Sequence, residues 1–154
     1  MIVRSAENGD IPAIIILLRQ VNEVHAKARP DLFKFATKYT EDGVAALISD
    51  PSTPVFVGEE DGKVLGYAMC RFVVHEGEQL LCDIKTLYID DICVDEGARG
   101  KHVGTRIYDH VLNFAGQSGC YNITLNVWAC NPAAEAFYKK LGLVPQKTTM
   151  EKIL

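Results

Sequence analysis

Long apolar runs are missing. The longest purely aliphatic stretch, Ile14 to Leu18, is too short to cross a bilayer, so no membrane partner is expected. The opening residues, MIVRSAENGD, lack the basic-then-apolar pattern of a signal peptide, and the expected location is the cytoplasm. A basic excess is missing too: 16 Lys and Arg against 20 Asp and Glu leave a net charge of −4. That disfavours a nucleic-acid partner, whose phosphates call for a basic face. The five cysteines (70, 82, 93, 120 and 130) form no C-x-x-C pair, which removes support for zinc ribbons and disulfide frameworks. Reduced, mostly buried thiols are the expectation. Four scattered histidines (25, 75, 102 and 110) have no metal-ligand spacing, so no metal is expected. Repeats, low-complexity stretches and linker-like composition shifts are absent as well, and residues 1–154 read as a single domain.

What is present is a regular alternation of elements. MIVRSA reads as a first strand. Asp10 can cap a helix with Pro12 in its first turn and aliphatic residues from Ile11 to Val24. Pro30 breaks that helix, and EDGVAALIS makes a second. From Pro54 the period changes to that of strands, two of them joined at EEDGK, where Asp61-Gly62 is a hairpin signal. KTLYIDDICVD is a further strand. Val103, Ile107, Val111 and Ala115 then line one face of a helix. YNITLNV alternates as a half-buried strand. Asn131-Pro132 caps a helix through AAEAFYKKL that stops at Gly142, and LVPQKTTMEKIL reads as a final strand. The sum is a mixed sheet covered by helices.

The stretch VDEGARGKHVG, residues 94 to 104, sits between a strand and a helix. That geometry offers free amides and a positive dipole end to an anion. Gly100 and Gly104 permit close backbone approach, while Arg99 and Lys101 add charge. Neither the Walker spacing nor G-x-G-x-x-G is present. On these residues alone, a surface turn with two solvated cations is as good a reading as a phosphate site.

Two motifs in order resolve the choice. Arg99-Gly100-Lys101-His102-Val103-Gly104 fits a [QR]-x-x-G-x-[GA] turn, and NPAAEAFYKKLGL, Asn131 to Leu143, fits N-x-x-A-x-x-[FL]-Y with its tail. Together they resemble the GNAT superfamily of N-acetyltransferases, over about residues 54 to 150. The resemblance implies an α/β (α+β) fold with a mixed, mostly antiparallel central sheet, helices on both faces, and parallel strands four and five splayed apart. It implies acetyl-CoA as cosubstrate, with its pyrophosphate on the amides of Arg99, Gly100, Lys101, His102, Val103, Gly104 and Thr105. The pantetheine arm would pair with Ile92, Cys93 and Val94 and meet Asn131, which also caps its helix. Two departures stand out: His102 replaces a usual glycine, and Glu96 a frequent proline. A left-handed backbone at 102 would cost histidine roughly 1–2 kcal/mol. The expectation is instead an ordinary first-turn helical position.

Acetyl transfer to an amine needs a proton removed, donors for an oxyanion, and relief for the leaving thiolate. The resemblance implies Tyr138 as general acid near the sulfur and Asp90 as base or substrate anchor; the Ile92 amide is the oxyanion candidate. The plain alternatives are a Tyr138 packed beside Phe137 and a solvated Asp90. Along a regular strand Tyr88, Asp90, Ile92 and Val94 share one face and Asp91 and Cys93 the other, unless a bulge intervenes. An acyl-cysteine route through Cys93 or Cys130 is disfavoured, because no histidine is placed beside either. His25, Phe33, Phe35 and Tyr39 fall where relatives build an acceptor wall. Glu76, Glu78, Asp83, Asp90 and Asp91 concentrate negative charge, favouring a cationic acceptor. The resulting reading is N-acetylation of a small amine of polyamine, amino acid or aminoglycoside type. Protein N-termini or lysines, and a non-catalytic CoA-binding sensor, are the alternatives. The segment TTMEKIL is a candidate edge strand for pairing two copies as a homodimer.

Overall fold

A computed structural model describes residues 1–154. Strand β1 (Ile2–Ser5) is followed by helices α1 (Ile11–Ala28) and α2 (Glu41–Ser49). Strands β2 (Val55–Glu60), β3 (Lys63–Val74) and β4 (Lys85–Val94) come next, then α3 (Val103–Gln117), β5 (Asn122–Leu125) and α4 (Pro132–Lys140). The strands stand in the order β1-β2-β3-β4-β5. The first three pairings are antiparallel and β4–β5 is parallel. The β2–β3 hairpin turns on Asp61 and Gly62, both at positive φ (51° and 74°), the backbone that a tight two-residue turn requires.

Helices cover both faces. On one, Ile14, Leu18 and Val44 of α1 and α2 pack against Val57, Tyr67, Met69 and Cys93. On the other, the four-residue repeat of α3 (Val103, Ile107, Val111, Ala115) packs against Phe56, Ala68, Leu87 and Ile89. Helix α1 ends at Ala28 with Arg29 as its C-cap, at the expected break, because proline at position 30 disfavours helical geometry for the residue before it. Asp10 stands at the N-cap position but makes no capping hydrogen bond to α1. Its carboxylate accepts from the Arg4 guanidinium at 2.7 and 2.9 Å and from the Glu7 amide at 2.8 Å, tying β1 to the start of α1.

The expected final strand does not form: residues 143–154 have no regular structure. Pro145 has no amide to donate to a ladder. Val144, Met150, Ile153 and Leu154 all remain exposed, so no buried face fixes a register. An ion pair of Glu151 with Arg29, at 3.0 Å, tethers the segment to the end of α1.

Candidate active site

The parallel pair joins only Thr86–Ile89 with Asn122–Leu125, while β4 continues to Val94 paired with β3 alone. The strands part at Asp90. On its other side β4 is irregular at the same place: Met69 pairs with Asp91 and Cys70 with Ile89, leaving Asp90 as an extra, unpaired residue. This bulge resets the alternation. Leu87 and Ile89 before it, and Ile92 and Val94 after it, all belong to the α3 side. Cys93 packs on the α1 side, and Asp91, across from Met69, shares that side. The regular-strand expectation that set Asp90 with Ile92 and Val94 is therefore corrected: both carboxylates face the segment joining α1 to α2.

Their surroundings differ. Lys38 lies 2.8 Å from the Asp90 carboxylate and donates to its carbonyl at 2.9 Å, and the Tyr39 hydroxyl donates to the carboxylate at 2.6 Å. Burial works to raise the Asp90 pKa, but the Lys38 and Tyr39 hydrogen bonds outweigh it and the group ends below its ordinary value. Asp91 has no such clamp. Burial pushes its carboxyl up to about 6, with Lys38 opposing and Asp90 adding to the rise. A carboxylate that titrates near neutrality suits proton removal, whereas a clamped anion does not.

Around Asp91 lie two tyrosines. Tyr67 is fully buried and its hydroxyl has no partner at hydrogen-bonding geometry, although Asp91 is close enough to raise its pKa along with burial. Burial, then Asp91 and Cys93, likewise raises the Tyr138 pKa, so α4 delivers this hydroxyl to the same place. The Cys93 thiol is buried and pushed up to about 12, which leaves it almost wholly protonated and a poor nucleophile.

The other half of the site is made of backbone. None of the amides of Gly100, Lys101, His102, Val103, Gly104 and Thr105 donates a hydrogen bond within the protein. Four orphan amides are the norm at a helix start; here the αL backbone of Gly100 (φ 78°) and His102 (φ 62°) extends the run. The first-turn expectation for His102 is thus corrected: it is the left-handed N-cap of α3. The Arg99, Lys101 and His102 side chains are exposed beside these amides. Gly104 is needed for clearance, since a Cβ there would lie 3.1 Å from the Phe137 ring and 3.3 Å from Val94. That contact seats α4 against the turn.

Asn131 caps α4, accepting from the Ala134 amide at 3.2 Å. Of the suggested acceptor wall, His25 stacks on Phe33 (5.1 Å between centroids) and Phe33 meets Trp128 edge-on (4.9 Å). Tyr39 holds Asp90, whereas Phe35 is 70% exposed. The turn acids stay apart: Glu78 pairs with His75 at 2.8 Å and Asp83 accepts from the Gly77 amide. Tyr67, Lys38, Arg71 and Trp128 were not singled out by sequence. The period-2 placement of Tyr67 and Arg71 with Met69 was the one available signal.

A model of the acetyltransferase (GNAT) family matches residues 18–143. A probable glucosamine 6-phosphate N-acetyltransferase 2 of Oryza sativa subsp. japonica is 30% identical over 110 residues, covering 71% of this chain and 59% of that protein; the chain thus spans less than two thirds of that relative. Thialysine N-epsilon-acetyltransferase of Bos taurus is 28% identical over 153 residues, 92% of this chain and 83% of that protein. Among solved structures, a mutant of the BH1408 protein from Bacillus halodurans is similar at a TM-score of 0.97 with 31% identity, over 100% of this chain and 99% of that one.

Proposed function

This chain belongs to the acetyltransferase (GNAT) family, and from that premise we propose that it moves an acetyl group from acetyl-CoA to the primary amine of a small molecule. The observation that carries the reading is the pairing of six free amides at the start of α3 with an unclamped, half-buried carboxylate where β4 and β5 part. A pyrophosphate fits such a run of amides, with Arg99 and Lys101 adding positive charge and His102 contributing its backbone amide. The edge of β4 from Ile92 to Val94 that β5 leaves uncovered suits an amide-rich arm, and Asn131 lies at the start of α4.

When bound, acetyl-CoA supplies an activated acyl group whose leaving group is a thiolate. The rest falls to side chains. Asp91 takes a proton from the acceptor ammonium, whose ordinary pKa of about 10 otherwise keeps the nitrogen lone pair occupied. The freed amine then forms its N–C bond as the C–S bond breaks and sulfur leaves with the electron pair, and the second proton that the nitrogen sheds on becoming an amide passes through solvent to the departing thiolate. Tyr138 supports the departing sulfur by hydrogen bonding. Its raised pKa keeps the hydroxyl protonated, so it stabilises the thiolate rather than surrendering its proton outright. Asp90, held by Lys38 and Tyr39, fixes the segment between α1 and α2 against β4, and the Phe33–Trp128 pair supplies an apolar part of the acceptor wall.

Small-molecule acceptors are supported by the relatives, whose names specify glucosamine 6-phosphate and thialysine. The test is calorimetric titration with acetyl-CoA, using ATP as control, followed by an amine panel. Micromolar binding of acetyl-CoA, little binding of ATP and turnover of a small amine are expected. Binding with no turnover across the panel would leave a CoA sensor instead.

A further inference from the structure

Arg71 is a guanidinium with no assignment. It lies on β3 opposite Tyr88, and by alternation it shares the α1-facing side with Met69 and Tyr67, the side of Asp91. Its side chain makes no ion pair and no hydrogen bond, although Arg4 and Arg29 make several. What holds it is the Tyr88 ring, 4.8 Å from the Arg71 Cζ to the centroid. The Tyr88 hydroxyl in turn accepts from Asn126 Nδ2 at 3.0 Å, bridging β4 to the end of β5 where the strands part. Stacking uses the flat face of a guanidinium and leaves its N–H donors free at the edge. The result is an oriented, unpaired cation at the mouth of the split.

Charge around it is already balanced. Lys38 neutralises Asp90, and Arg71 is near enough to bias Asp90 and Tyr39 without pairing with either. Against Asp91 as the remaining anion stands Arg71 as the remaining cation. A polyamine that placed one ammonium at Asp91 would bring its next one towards Arg71.

We propose that the acceptor carries an anionic group, a carboxylate or a phosphate, which the Arg71 guanidinium binds while the amine meets Asp91. This rests on the acetyl-transfer reading for the role of Asp91, and it narrows the substrate to zwitterionic or phosphorylated amines. The spacing is suitable: Asp91 stands three positions after Tyr88 along β4, roughly 7–10 Å once the bulge shortens the path. That is about the reach from the side-chain amine of lysine to its α-carboxylate.

Two pairs of amines differ by the anion alone: lysine against cadaverine, and glucosamine 6-phosphate against glucosamine. Their binding to the full chain and to Arg71→Gln is measured by calorimetry, which requires no turnover, alongside acetyl-CoA binding in the same preparations. In at least one pair the anionic member should bind ten times more tightly or better, and which pair responds distinguishes carboxylate from phosphate. Arg71→Gln should bring that affinity down to the level of the twin, and Arg71→Lys should restore part of it. Because Arg71 is exposed, unchanged melting of the variant confirms that folding is intact. Equal binding within both pairs, or a preference that survives Arg71→Gln, overturns the proposal. A preference that holds in a protein that fails to bind acetyl-CoA would instead sink the acetyl-transfer reading and leave the anion site standing.

Discussion

The two halves of the site are built on different principles. The proposed anion turn is one contiguous segment, Gly100 to Thr105, whose backbone amides are left free by geometry, whereas the Arg99 amide, expected to join them, donates to the Glu96 carbonyl. The acceptor half is assembled from separated segments: Lys38 and Tyr39 before α2, Tyr67 and Arg71 on β3, Asp90 and Asp91 at the bulge, and Tyr138 on α4. Its working groups are side chains, and Tyr39, Tyr67, Asp90, Asp91 and Tyr138 among them have shifted proton affinities. A backbone site tolerates changes of side chain as long as the path of the chain survives. A side-chain site does not, so the same kind of substitution should have very different effects in the two halves.

The largest effect is expected from Asp91→Asn. Loss of a general base typically costs about 10²- to 10⁴-fold in kcat, while acetyl-CoA binding, a property of the other half, should hold. In the parent protein kcat should rise with pH through about 6 and then level off, following the Asp91 carboxyl. Stability moves the opposite way. The folded pKa is raised from 3.8 to about 6, so the carboxyl's contribution is full below the lower value and is lost as pH rises through the upper one. Above that, the folded state carries a penalty of up to about 3 kcal/mol. Asp91→Asn should therefore melt higher at pH 8 and nearly unchanged at pH 4, as thermal denaturation at the two pH values would reveal. A variant that is slower and also more stable marks a group retained for chemistry.

This contrast also explains what could be read from the sequence. The turn and α4 were legible because Arg99-Gly100, Gly104 and Asn131-Pro132 act locally, through spacing that survives in one dimension. The hairpin at Asp61-Gly62 and the α3 stripe were legible for the same reason. The placement of Asp90 and Asp91 was not, because period-2 reasoning assumes regular pairing and the extra residue opposite Met69 and Cys70 leaves no compositional trace. Nor could the sequence bring Lys38 and Tyr39 onto Asp90, a contact between residues some fifty positions apart. The misread final strand has a related cause. Apolar and β-prone residues at 143–154 satisfy the pattern, but no face of the sheet receives them.

Tyr138→Phe sharpens the comparison at the seam between the halves. Removing a hydrogen bond worth about 1–2 kcal/mol in the transition state lowers kcat roughly 5- to 30-fold, with steady-state rates as the readout. The loss is smaller than for Asp91 because a thiolate is a good leaving group. Lys101→Ala, on the turn, should weaken acetyl-CoA binding only a few-fold. Titrations at low and high salt should converge, since an exposed charge is screened.

The smallest effect, and the one most specific to the backbone half, is expected at His102. A left-handed histidine costs roughly 1–2 kcal/mol relative to a residue at ease there. Glycine removes that strain but gives back about 0.5–1 kcal/mol through the greater freedom of its unfolded chain. The balance favours His102→Gly by about 0.5–1 kcal/mol, visible as a small rise in melting temperature. Its φ of 62° is one that glycine adopts readily, so the six amides keep their directions and acetyl-CoA affinity should change by less than about threefold. A variant with unchanged stability and tenfold weaker binding would reverse the assignment. The imidazole, not the path of the chain, would then be the contact, and the turn would join the acceptor half as a site made of side chains.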